Sequence, residues 1–100
     1  MRTLSVSEVL KEKETDEEIN MANLVVEKVN SDEQAVWIHV FDQSGTLTAL
    51  SVPRRGIELF EQAKLIKSGQ RISITGSVAT SGSGNRSRFL RLQSVNFLSQ

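Results

Sequence analysis

The sequence predicts an all-β fold: a small five-stranded Greek-key barrel with one helix between its third and fourth strands and a short N-terminal helix. Three observations point there. Several segments dense in β-branched and aromatic residues alternate apolar and polar at period two. Short runs of turn residues separate them. One internal stretch, GIELFEQAKLI, changes to the three-and-four spacing of a helix.

Ser5-Val-Ser-Glu8 fits a capping box, with Ser at the N-cap and Glu three residues later. It predicts a helix from about Val6 to Lys13, anchored by Val6, Val9 and Leu10. KEKETDEE then reads as solvated charge. Residues 1–18 are therefore an N-terminal helix and acidic arm, and residues 19–100 form the barrel domain.

INMANLVVEKVN, Ile19 to Asn30, is the first barrel strand, and NSDEQ is the turn after it. AVWIHVFD is the strongest strand in the chain. Its alternation sends Val36, Ile38 and Val40 inward and Trp37, His39 and Phe41 outward. Asp42-Gln-Ser-Gly45 turns the chain into TLTALSV, residues 46–52, which completes a hairpin. Pro53 closes that strand because it cannot donate to a ladder.

GIELFEQAKLI, with Ile57, Leu59, Phe60, Ala63 and Ile66, predicts an amphipathic helix of about three turns, ending with Gly69 as C′ residue. RISITGSV turns Ile72, Ile74 and Val78 to one side. ATSGSGNRS is a Gly/Ser loop containing Arg86. FLRLQSVNFL is the last strand, with Leu90, Leu92 and either Val95 or Phe97 inward and a bulge near Ser94.

The order β-β-β-α-β-β is that of the OB-fold. The helix plugs the open end of the barrel, which explains its apolar face. A generic β-sandwich has no need of one helix in that slot, and an SH3-like barrel lacks it.

Composition narrows the function. One hundred residues fit one domain. The absence of Cys excludes disulfides, thiolate metal sites and Cys nucleophiles, and a single His excludes a His-rich metal site. No apolar run approaches the ~18 residues that span a bilayer, and no secretory signal is visible. A soluble protein of the cytoplasm, with no membrane partner, no metal and no cofactor, is the expectation.

Net charge is zero but unevenly spread. Residues 1–52 hold four basic and ten acidic residues, a net of −6; residues 53–100 hold eight basic and two acidic, a net of +6. Folding either intermixes these charges or builds a basic surface from the second half.

WIHVFDQSGTLTALSVP followed by RRGIELFEQAKLIKSGQRISITGSV resembles the nucleic-acid-binding OB domain of the tRNA-anticodon-binding type. Within that class it is most similar to the OB domain of replicative DNA polymerase III alpha subunits. Trp37, Asp42, Gly45, Val52-Pro53, Leu65, Gly69 and Thr75-Gly-Ser-Val78 occupy the pattern positions, over about residues 19–98. The resemblance implies base stacking by the aromatic five positions before the Asp, here Trp37. It implies no polymerase catalysis. Val52 departs from the Phe common in the polymerase domains, and the loop TSGSGNRSR lacks aromatics.

The expected function is non-enzymatic binding of single-stranded DNA, or RNA as the less favoured ligand, in replication, recombination or repair. An OB barrel binds along its second and third strands and the loops beside them. Trp37, His39, Phe41 and Thr48 would supply that face. Arg86, Arg88 and Arg91 flank the last loop, and Arg54, Arg55 and Arg71 lie at strand ends. Phosphate contacts by these cations would make affinity fall with salt.

A second reading is a protein-interaction OB module, an adaptor in such a complex, with the Trp-His-Phe face as its hot spot. A third covers that face within a homo-oligomer. An enzyme is the poorest fit: His39 has no catalytic partner, and Thr80-Ser-Gly-Ser-Gly lacks the Lys-Ser/Thr ending of a P-loop. The acidic residues of the arm, Glu12, Glu14, Asp16, Glu17 and Glu18, are expected to compete with phosphates for the basic groove. Deleting residues 1–17 is then expected to tighten binding at low salt.

Overall fold

A computed structural model describes residues 1–81 and 87–99. In chain order the elements are β1 (Arg2–Thr3), α1 (Val6–Leu10), β2 (Ile19–Ser31), β3 (Val36–Asp42), β4 (Gly45–Ser51), α2 (Ile57–Ala63), β5 (Arg71–Ser81) and β6 (Ser87–Ser99). A single 3-10 turn, Pro53–Arg55, joins β4 to α2.

The strands run β2-β3-β4-β6-β5, and β5 returns to pair with β2, so the sheet closes. Closure depends on β2 serving two neighbours. Its first half pairs antiparallel with β5, from Ile19↔Gly76 to Val25↔Arg71. Its second half pairs antiparallel with β3, from Val25↔Phe41 to Ser31↔Val36. A strand that changes partners must bend, and β2 carries two register shifts, one at Met21/Leu24 and one at Val26/Lys28. Asn23 sits in the first with φ 58°, left-handed backbone that Asn tolerates better than most residues. The bulge expected near Ser94 is present: Thr75 faces Ser94, but Gly76 faces Leu92.

The core follows the alternation. Val36, Ile38 and Val40 of β3 are fully buried, and so are Ile19, Met21, Leu24 and Val26 of β2, Ile72, Ile74 and Val78 of β5, and Leu90 of β6. Phe60, Ala63 and Ile66 bring the α2 region into the same core. At ~1.5–3 kcal/mol for each large apolar side chain removed from water, this cluster is the main favourable term of the fold.

Several boundaries differ from expectation. Helix α1 spans five residues rather than eight, because Lys11 already caps it. Its capping box is present as expected, and the Ser5 N–H bond holds the Glu8 carboxyl below its usual pKa. Val6 and Val9 are fully buried within the barrel core. α1 is tied to the β3–β4 turn, where Asp42 accepts from the Val6 N–H and Ser44 from the Ser7 N–H.

Helix α2 has two turns rather than three, so Gly69 is not its C′ residue. Gly69 instead takes φ 89° in the turn into β5 and donates its N–H to Val26. Strands β5 and β6 extend into the expected Gly/Ser loop, to Ser81 and back to Ser87. Val95 is half-buried and packs against the core, whereas Phe97, although it lies opposite buried Ile72, is 39% exposed. The pairing β1 with β2, Arg2↔Ile19 and Thr3↔Asn20, was not expected; two residues are too few to show a period. No helix of the described residues is long and apolar enough to cross a membrane.

Candidate nucleic-acid interface

The outward side of β3 and β4 is built by cross-strand pairs. Trp37 faces Leu50, His39 faces Thr48, and Phe41 faces Thr46. Because the inward partners are buried, register is fixed, and these six side chains must share the outer face. Trp37 is 39% exposed and Phe41 36%. His39 is held in place: its Nδ1 lies 3.1 Å from Thr48 Oγ1, and its Nε2 lies 3.5 Å from Asn30 Nδ2. His39 and Thr48 are half-buried spacers between two aromatic positions.

Strand β6 completes the Trp37 end. It runs parallel to β4 with Ala49↔Leu90 and Leu50↔Arg91. Leu90 points into the core, so Phe89 and Arg91 point to the outer face. The Phe89 ring meets the Trp37 indole edge to face, with centroids 6.2 Å apart and planes at 65°. Beside this pair, Leu50, Val52, Phe89 and three arginines, Arg54, Arg55 and Arg91, line a hollow of about 170 Å³. The short turn Pro53–Arg55 carries Arg54 and Arg55 to the same place as Arg91 of β6, although the two elements are distant in sequence. Among the described residues neither Arg54 nor Arg55 forms an ion pair.

Phe41 and Arg71 belong to a different region. With Ser5, Asn23, Val25 and Asp42 they line a wider cleft of about 550 Å³ beside the β3–β4 turn. The Arg71 guanidinium donates to Asn23 Oδ1 at 3.1 Å. The expected basic set is therefore divided: Arg54, Arg55 and Arg91 gather near Trp37, and Arg71 does not. Arg88 is engaged elsewhere, its Nε donating to the Glu12 carbonyl at 2.6 Å. Arg91 also meets the acidic arm, with Glu14 at 3.0 Å and Asp16 at 3.9 Å. Arg86 lies outside the described residues.

Asp42 shapes the turn. Burial raises its carboxyl pKa, but bonds from the Ser44 hydroxyl and the N–H groups of Val6, Ser44 and Gly45 outweigh that and bring it below the usual value. Among the described residues no group of three His, Cys, Asp or Glu side chains could hold a metal ion.

Phe89 is the site residue that sequence reasoning passed over. Its signal was available, since an inward Leu90 places its neighbour outward. The missing information was that β6 lies beside β4, a pairing between segments distant in sequence.

No family model and no curated protein matches the chain. Solved structures do. A chain of the S. pombe Stn1-ten1 complex superposes with a TM-score of 0.68 at 18% identity, over 81% of this chain and 57% of that one. Aspartyl-tRNA synthetase from Entamoeba histolytica gives 0.82 at 14% identity, over 98% of this chain and 21% of that one. A chain of a Replication Protein A heterotrimer bound to ssDNA gives 0.71 at 13% identity, over 99% and 81%. This chain thus spans little more than half of the Stn1-ten1 chain and about a fifth of the synthetase. With the closed β2-β3-β4-β6-β5 barrel, these likenesses define the fold as an OB-fold.

Proposed function

We propose that this OB domain binds single-stranded nucleic acid, DNA in preference to RNA, without catalysis, as an accessory in replication, recombination or repair. The observation that carries the reading is that exposed Trp37 packs on half-buried Phe89, which lines one hollow together with Arg54, Arg55 and Arg91. An unpaired base exposes a π-face, and stacking on an aromatic side chain contributes ~1–3 kcal/mol per base. Guanidinium groups beside that platform take the phosphates that flank the stacked base.

Two lines of likeness favour nucleic acid. One is the resemblance of the Trp37–Pro53 segment to anticodon-binding and polymerase III alpha OB domains. The other is the shared fold with a Replication Protein A chain from a complex bound to ssDNA. A protein-binding role is the second reading, favoured by Phe97 and Leu98, two large apolar side chains left exposed near the end of β6.

The test is fluorescence anisotropy of labelled ~20-nucleotide dT and U strands, at low and moderate salt, with the wild-type protein and Trp37→Ala. The reading predicts binding that weakens steeply with salt and loses ~1–3 kcal/mol in the variant. Absence of binding to either strand at low salt overturns it. Salt-insensitive capture of a protein partner through Phe97 and Leu98, in its place, would establish the second reading.

A further inference from the structure

Residues 11–18 link α1 to β2 by way of the basic strand β6, and four contacts fix their course. The Thr15 N–H donates to the Val78 carbonyl at 3.1 Å. Arg2 grips both ends of the segment, with Glu12 at 2.7 Å and Glu17 at 2.9 Å. Arg88 holds the Glu12 carbonyl. Between these ties, Glu14 reaches Arg91 at 3.0 Å, with Asp16 at 3.9 Å from the other terminal nitrogen.

Arg91 is thus shared. It lines the hollow with Phe89, Arg54 and Arg55, and it carries a carboxylate of the same chain. A carboxylate and a phosphate oxygen make the same kind of charge-assisted bond to a guanidinium. We propose that the acidic arm is an intramolecular competitor that occupies the Arg91 phosphate position and must yield it before a nucleic-acid strand can use it; this rests on the nucleic-acid reading of the site.

The strength of the contact suits such a role. Glu14 is half exposed and Asp16 fully so, and exposed ion pairs contribute only ~0.2–1 kcal/mol. A polyanion therefore displaces them readily, and the arm lowers affinity without abolishing it. The anchors at Arg2 and Thr15 remain in place, so the carboxylates stay near the site after release. Arg54 and Arg55 are left open as the first phosphate contacts.

Deletion of the N-terminal segment cannot test this, because Val6 and Val9 are part of the core. The test uses Glu14→Gln combined with Asp16→Asn. A control of equal charge change, Glu27→Gln with Glu61→Gln, alters carboxylates that meet no arginine among the described residues; Glu61 faces Lys64. Binding of labelled dT20 is measured by anisotropy from low to moderate salt.

The proposal predicts that the arm variant binds about two- to tenfold more tightly than both wild type and control at low salt. Its plot of log affinity against log salt steepens by about 0.7, one newly available phosphate contact, while the control keeps the wild-type slope. Equal gains in the arm variant and the control, or none in the arm variant, overturn the competitor and leave the nucleic-acid reading standing. Failure of all three proteins to bind at low salt overturns that reading, and the competitor with it.

Discussion

The rings of Trp37 and Phe89 meet edge to face at 6.2 Å across the intervening strand β4, whose Leu50 pairs with Trp37 on one side and Arg91 on the other. Such a contact contributes ~0.5–1.5 kcal/mol beyond area burial. It also restrains the indole, which is otherwise free to rotate on an open face. A restrained platform stacks on a base at lower entropic cost.

Phe89→Ala should therefore loosen Trp37 without unfolding the barrel. Trp37 is the only tryptophan, so its emission reports on this site alone. The expected outcome is emission at longer wavelength in the variant and a loss of oligonucleotide affinity of about 1 kcal/mol, from the lost ring contact. Unchanged emission would mean that Phe89 does not position the indole.

Arg54 and Arg55 stand on a short turn, exposed and without ion pairs among the described residues. Replacing each by Ala should leave the urea midpoint unchanged. Each replacement should flatten the salt dependence of single-strand binding by about 0.7 in log–log slope, the loss of one phosphate contact. Arg71→Ala, in the separate cleft, should leave that slope as it is.

Gly76 explains how β5 and β6 pack so closely behind Arg91. A Cβ at position 76 would run into the Arg91 carbonyl oxygen and press on Leu90. Backbone cannot move aside as a side-chain tip can. Gly76→Ala should cost about 1–3 kcal/mol or more in a urea titration, and should shift the Arg91 amide resonance. A neutral result would show that β6 can slide past this glycine.

Asp42 makes the fold acid-sensitive. Its carboxyl pKa is below the usual value in the folded protein, so the unfolded chain takes up the proton first. The stability this group contributes is complete above the unfolded value of about 4 and is lost as pH falls through the folded value. Asp42→Asn should lower stability at neutral pH and flatten its decline in acid, as read by urea midpoints from pH 7 to pH 3. An equally steep decline in the variant would assign the acid sensitivity to other carboxylates, Glu8 foremost.

Alternation made much of this legible. In VWIHVF the burial pattern repeats the sequence pattern residue by residue, so the outer face could be named before any pairing was known. The helix in its slot and the bulge at Ser94 were legible for similar local reasons. Other features were not, because they depend on pairing between distant segments. Phe89 joins Trp37 only because β6 lies beside β4, and Arg71 leaves the set because β5 pairs with the bulged half of β2. The run of charge at 12–18 makes an acidic arm legible, but which arginine it meets, Arg91 through Glu14, needed the fold.

The proposed nucleic-acid face runs from Trp37 to Arg91. Amide chemical-shift mapping of the labelled protein with dT20 at low salt tests it most directly. The account predicts shifts concentrated at Trp37, Leu50, Arg54, Arg55, Phe89 and Arg91, together with shifts at Glu14 and Asp16 as the arm yields. Shifts confined to the Phe41–Arg71 cleft, or to Phe97 and Leu98, with the Trp37 face silent, would contradict it.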